Sequence, residues 1–172
     1  MPKTKVFIND REASSKNSDE KSVAAFPDPC FSPPGPPAGP VVIPYPNTAF
    51  AKDLKNGTST VFIKGKMVAQ EDKSFYATST GNEAATESFP KGVMSNKIKG
   101  KAYFKSWSMN VSFQGRGVPR HLDIMTHNHG SECGNTAACR NMGEAASPDD
   151  IKSKAQEKRI AIPIIFIPGV MG

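Results

Sequence analysis

All three histidines of this 172-residue chain fall within nine positions, in the stretch RHLDIMTHNHG at 120–130: His121, His127 and His129. On extended backbone His127 and His129 emerge on the same side with Cα atoms about 6.5 Å apart, so two imidazoles can reach one ion. His121 lies six residues upstream, about 20 Å along a straight strand, and can join the same ion only where the chain folds back between Leu122 and Thr126. Three imidazoles leave one position of a tetrahedral zinc unfilled, and Cys30, Cys133 and Cys139 compete for it. Cys133 is nearest in sequence, whereas Cys30 would tie the first third of the chain to the last. Cys133 and Cys139 could instead pair with each other when oxidised. A closed shell of nitrogen and thiolate is a structural zinc site. An open fourth position would instead make THNH the metal site of a zinc-dependent hydrolase or nuclease, with Glu132 or Asp123 as base. Arg120 and Asp123 flank the cluster, and Asp123 either orients an imidazole or is an ordinary turn carboxylate.

The elements that must position these groups read as mainly β. Hydrophobic residues make up 37% of the chain, with 14 glycines and 15 prolines, a balance that favours short strands and hairpins over long helices. The net charge of +6 is spread along the chain with no run of five basic residues, so solubility accounts for it and no nucleic-acid partner is expected. The start, MPKTKVFIND, has no apolar core of a secretory signal, and the apolar run at 161–171 is too short to span a bilayer. These features predict synthesis in the cytoplasm and no stable membrane association. An odd cysteine count in a reducing compartment predicts no disulfide framework.

Along the chain, KVFIN is a short strand candidate, and the polar stretch DREASSKNSDEKS reads as surface loop or weak strand. Nine of the twenty residues at 27–46 are proline, which excludes a helix or a central strand. Extended polyproline-like backbone draped over a core is the expectation there, anchored by Val41, Val42, Ile43 and Tyr45. Asn56–Gly57 predicts a tight turn, Gly65 and Gly100 predict hairpins, and WSMNVSFQ at 107–114 alternates as one strand with Trp107, Met109, Val111 and Phe113 on one face. SPDDIKSKAQEKR at 147–159 has a serine N-cap and a proline behind it, and reads as a solvated helix or linker. IAIPIIFIPGVMG is apolar on both parities, like a strand buried on both faces. The expected division is a domain at 1–145, a polar linker helix at 146–160, and the first strand of a further domain at 161–172.

The blocks FPDPCFSPPGPPAGPVVIPYPNTA, TGNEAAT and WSMNVSFQGRGVPRHLDIMTHNHG, in that order, resemble the PAAR-like family found with bacterial type VI secretion systems, over about residues 4–137. The resemblance implies a small conical fold of short strands, hairpins and extended proline-rich segments, with a structural zinc near its apex held by three histidines and one cysteine. Carried onto this chain, it makes His121, His127 and His129 ligands and favours Cys30, within the family's proline-rich block, as the fourth. It further implies a non-enzymatic tip that caps the trimeric VgrG spike, one tip per trimer. Such a tip carries a C-terminal toxin through the type VI apparatus into a target cell, with an effector chaperone as a further partner. IPIIFIPGVMG is similar to the first core strand and glycine turn of α/β-hydrolase lipases. No G-x-S-x-G elbow occurs in these 172 residues, so a lipase or esterase activity would belong to the C-terminal domain and not to this stretch.

Overall fold

The computed structural model describes residues 5–34, 37–85, 91–130 and 132–148. The expected linker helix from residue 149 onward and the apolar segment at 161–172 lie outside them. In chain order the strands are β1 (Phe7–Ile8), β2 (Arg11–Glu12), β3 (Lys21–Ser32), β4 (Val41–Phe50), β5 (Leu54–Lys55), β6 (Phe62–Ile63) and β7 (Lys66–Met67). There follow β8 (Phe75–Tyr76), β9 (Ser79–Thr80), β10 (Lys101–Phe104), β11 (Ser112–Phe113), β12 (Arg116–Gly117), β13 (Ile124–His129) and β14 (Cys139–Met142). The fold is mainly β, as composition predicts, without a closed barrel. One antiparallel sheet runs β5-β8-β10-β13-β14-β3-β4-β9, and β1–β2, β6–β7 and β11–β12 are separate hairpins.

Those three hairpins are copies of one unit. Each closes on a two-residue turn with both φ angles positive: Asn9 51° and Asp10 62°, Lys64 48° and Gly65 71°, Gln114 54° and Gly115 76°. This is the turn whose twist matches that of its strands. Ile8 faces Arg11, Ile63 faces Lys66 and Phe113 faces Arg116 across the three ribbons. The apolar residues recur at equivalent places: Val6, Val61 and Val111; Ile8, Ile63 and Phe113; Ala13, Val68 and Val118. All but Val61 belong to a single apolar core. Burying Ile8, Ile63, Val68 and Val118 is worth about 1.5–3 kcal/mol each, more together than a lone hairpin could gather from its own two strands.

The contacts between hairpins run round in one sense. Ser108 Oγ, before the third hairpin, donates to Asn9 Oδ1 in the first turn at 2.9 Å, and Ser59 N–H, before the second, donates to Gln114 Oε1 in the third turn at 3.3 Å. Behind the hairpins Ser14 N–H donates to Pro119 C=O at 2.9 Å and Ala69 N–H to Ser14 C=O at 2.8 Å. The equivalent residue that would close this ring is Pro119, which has no N–H. An approximate threefold rotation therefore relates the hairpins.

The larger sheet repeats part of the same plan, since β5 and β8 bracket the second hairpin as β10 and β13 bracket the third. The two brackets join where Ala102 pairs with Tyr76. Leu54, Tyr76, Ala102, Phe104 and Met125 fill a second core there, with the Tyr76 and Phe104 rings 5.2 Å apart at 76°.

Four expectations change. The polar stretch after Asp10 follows the weak-strand alternative at Arg11–Glu12 and is not a surface loop throughout: Glu12, Ser14, Ser15, Ser18 and Glu20 are buried, because they bond one another and their neighbours rather than water. The proline-rich segment forms the far half of the β3–β4 ribbon, and β3 has partners on both edges. Proline is tolerated because Pro29 lies opposite Pro44, at a pair whose N–H positions face away from the partner strand. Phe31 N–H, two residues on, donates outward to Lys91 C=O. Val41, Val42 and Ile43 do not anchor this ribbon to a core; they are 39–49% exposed. Residues 107–114 are not one strand: Ser108 is buried while Met109 is wholly exposed, and the chain becomes a strand only at Ser112. Gly65 does turn a hairpin, but Gly100 does not; it lies where a side chain would strike Asn128 and His129.

Candidate functional site

His121 sits on a tight turn in which Asp123 N–H donates to Arg120 C=O at 3.0 Å and Leu122 takes a φ of 67°. Its Nδ1 accepts the Gly143 N–H at 2.8 Å. Burial lowers its proton affinity and Arg11 lowers it further, against Asp123 and Glu144. Asp123 serves Arg120, whose backbone N–H and Nε both donate to Oδ2, at 2.8 and 3.1 Å. From Ile124 the chain runs out as β13, so the fold-back needed between Leu122 and Thr126 is not made.

His127 and His129 also part company. Between the pairs Tyr103–Thr126 and Lys101–His129, β13 spends three steps where β10 spends two, and Asn128 takes a φ of 55°. This bulge breaks the alternation that would set the two imidazoles side by side. His127 is fully buried, and its Nε2 pairs with Ser22 Oγ at 2.8 Å on β3. His129 turns to β10: its Nε2 pairs with Thr126 Oγ1 at 2.8 Å and its ring meets Tyr103 at 4.8 Å between centroids. Burial, then the nearby His129, depress the His127 pKa to about 4 against the Asn47 backbone. Its Nδ1 is a buried atom with no hydrogen-bond partner.

Cys30 is wholly buried on β3, apart from the histidines in its partners. Its neighbour Asp28 forms the centre of a cage that sequence reasoning missed. Asn47 from β4 and Asn82 donate to Asp28 Oδ2 at 2.9 and 2.6 Å. Asn128, the bulge residue, reaches both carboxylate oxygens at 3.2 Å, and Asn135 reaches Oδ1 at 2.5 Å. Asp28, Asn47, Asn82 and Asn128 have no exposed surface. An amide NH2 can only donate and a carboxylate oxygen accepts, so Asp28 gathers four donors, of which Asn128 and Asn135 donate also to the carbonyls of Lys97 and Pro29 at 2.7 and 2.8 Å. Burial first, and then the Asp28 carboxylate with the hydrogen bond it takes from the thiol, push the Cys30 pKa up to about 12. Asn135 Nδ2 approaches Cys30 Sγ at 3.8 Å. The asparagines, from four separate segments, carry no spacing signal; only the number of buried amides reveals them.

The remaining cysteines do not pair with each other. Cys133 is exposed, and Cys139 Sγ, on β14, donates to Met125 C=O at 3.2 Å and contacts Ser22 Oγ at 3.5 Å. A second buried polar cluster surrounds Glu20, whose Oε2 accepts from Asn141 Nδ2 at 2.9 Å while Oε1 has no partner. Tyr76 OH donates to Asn141 Oδ1 at 3.2 Å, and Asn141 Nδ2 donates also to Ser14 Oγ at 2.8 Å. Desolvation raises the Glu20 pKa to about 8.

As arranged, Cys30, His121, His127 and His129 do not fit one tetrahedral ion. Each already spends a ring nitrogen or its thiol on a protein partner, and among the described residues no three His, Cys, Asp or Glu side chains gather as a metal-holding group. His127 Nδ1 is a ring nitrogen of this set that is buried without a hydrogen-bond partner, and it offers a lone pair in the tautomer whose Nε2 donates to Ser22.

The family described as "Toxin PAAR-like domain" matches residues 21–134, which hold the Asp28 cage up to Asn128, all three histidines and Cys30. This chain is a member of the toxin PAAR-like family. It is also 52% identical over 133 residues to a Pseudomonas aeruginosa protein named DNase toxin Tse7, a stretch that is 76% of this chain and 34% of that one. The chain thus spans about a third of the length of the curated relative it matches. No solved structure matches. In this PAAR-like domain the packed unit exceeds the family's matched span at both ends: the first hairpin supplies Val6, Ile8 and Ala13 to the threefold core, and β14 pairs with β3.

Proposed function

We propose that this PAAR-like domain is a spike tip: it caps a VgrG trimer of a type VI secretion system and carries a toxin into the target cell. The observation that carries the reading is the approximate threefold rotation of its hairpins, which lets one chain offer three equivalent contacts to a partner built of three identical chains. Nothing in this role requires chemistry from the tip itself, so the stretch acts as carrier. Co-purification of the full-length protein with the VgrG chains of its own genome tests this, with one tip per three spike chains expected. Absence of binding to any spike of its own genome would remove the role.

The activity of the cargo is a separate matter. The relative is named a DNase toxin, and the matched stretch is 34% of it, so that activity is named for a protein mostly outside the shared part. The name favours a nuclease cargo, and with it a nucleic-acid substrate, over the lipase suggested by IPIIFIPGVMG. Incubating the full-length protein with plasmid DNA and with a fatty-acid ester decides between them.

Zinc held by Cys30, His121, His127 and His129 stays a proposal of the family resemblance. It requires these side chains to exchange their present partners for the ion and the Cys30 thiol, held near 12, to lose its proton. Elemental analysis of purified protein, wild type beside Cys30→Ser, tests it. Stoichiometric zinc lost in the variant supports the ligand set, and a metal-free wild type with full stability removes it.

A further inference from the structure

The cation that follows each turn occupies the same place in all three hairpins: Arg11, Lys66 and Arg116. Each lies directly opposite a core residue, Ile8, Ile63 or Phe113, and residues opposite each other in a strand pair emerge on the same face of the ribbon. Their stems therefore start on the core-facing side of each ribbon, and the three cations stand at equivalent places about the approximate threefold. Lys66 and Arg116 are exposed, and Arg11 keeps 42% of its side chain in solvent. Their present partners are slight. The Lys66 ammonium has no hydrogen bond or ion pair among the described residues, Arg116 Nη1 donates to the Glu71 carbonyl at 3.1 Å, and Arg11 stands 3.8 Å from Asp123, a carboxylate already bonded by Arg120. Structural need does not account for a cation at this place in every hairpin, since the strand ladders and the core hold each ribbon without it.

We infer that the three-hairpin face is a recognition surface for a threefold-symmetric partner presenting one acidic side chain per subunit, each met by one of Arg11, Lys66 and Arg116. The inference rests on the trimeric partner proposed above and adds the chemistry of the contact. A symmetric partner repeats every charge it carries three times, so three equivalent cations on one chain satisfy one acidic position on each of three chains. Fitted together, the pairs fix the rotational setting of the tip and speed its encounter with the spike, as complementary charges do.

The test is a binding titration of full-length protein against the purified VgrG trimer at several salt concentrations. It compares wild type, the triple variant Arg11→Glu/Lys66→Glu/Arg116→Glu, and a control with the same charge change at exposed Lys21, Lys52 and Lys105 outside the hairpins. Three opposed charges are expected to weaken binding by about 100-fold or more and to flatten its salt dependence, against less than about threefold for the control. Lys66→Glu alone, at an exposed side chain with no partner to lose, is expected to weaken binding about three- to tenfold, and it decides the matter if circular dichroism shows the triple variant unfolded. A folded hairpin variant that binds like the control overturns this inference and leaves the capping role standing. A wild-type protein that does not bind the trimer overturns the capping role and the inference with it.

Discussion

The three-hairpin region and the Asp28 cage solve the same problem with opposite chemistry. Each must join segments far apart in sequence: residues near 8, 63 and 113 in one, residues 28, 47, 82, 128 and 135 in the other. The hairpins do it with interchangeable aliphatic groups at three equivalent places, so loss of one leaves the others packed. The cage has one acceptor and four donors, with no surface open to water at its centre. Apolar contacts fail by degrees, whereas removing the hub of a polar network takes a partner from every other member at once.

The largest expected effect follows from that contrast. Asp28→Ala strands the amides of Asn47 and Asn82 and leaves those of Asn128 and Asn135 only their bonds to the Lys97 and Pro29 carbonyls, and should cost about 3 kcal/mol or more, a large part of a marginal domain's stability. Denaturant unfolding of the soluble fraction measures it. A loss below about 1 kcal/mol would show that water replaces the carboxylate and that the cage is not the joint described here. Ile63→Ala, in the threefold core, should cost about 2–4 kcal/mol with the domain still folded, because the cavity is shared by neighbours that can relax into it.

A third prediction concerns the buried acid of the second polar cluster, Glu20. Glu20 has a folded pKa near 8 against an ordinary value of 4.5, so between those values the folded chain holds a proton that the unfolded chain has released. Stability therefore falls as pH rises from about 4.5 to about 8, by an amount on the order of 2 kcal/mol or more, and the contribution is constant above that. Glu20→Gln cannot ionise. It should remove this slope and raise the melting temperature at pH 8 relative to wild type. An unchanged slope would place the titration elsewhere.

These differences also mark what could be read before the fold was known. Hairpins at short apolar runs, the β class and the family blocks are local signals, and Gly65 turned a hairpin where one was expected. The cage was illegible because asparagine at 47, 82, 128 and 135 is ordinary loop composition until distant segments meet around Asp28. The stretch after Asp10 misled for a related reason: polarity predicts exposure only when water is the partner, and Ser14, Ser18 and Glu20 bond within the fold. Strand alternation set His127 beside His129 on one face, and a single positive φ at Asn128 undid it. The threefold repeat was present in plain letters, valine at 6, 61 and 111 and a cation at 11, 66 and 116, but turns read one at a time do not disclose a rotation.

The smallest effect gives the sharpest test of equivalence. Two of the turns end in glycine, Gly65 and Gly115, with φ of 71° and 76° and open space where a Cβ would be; the first ends in Asp10 at 62°. If the hairpins are one unit, the second turn position has the same left-handed requirement in all three, and residue exchange there should be symmetric. Asp10→Gly should then gain about 0.5 kcal/mol, and Gly65→Asp and Gly115→Asp should each lose a similar amount, since aspartate tolerates this region better than most residues but less well than glycine. Thermal unfolding at neutral pH resolves differences of this size as shifts of a few degrees. Opposite signs at 10 and at 65 and 115 mean that the backbone alone decides the preference. A loss at all three would mean that Asp10 does something in its turn that the others do not, and the hairpins would share a shape without sharing their energetics.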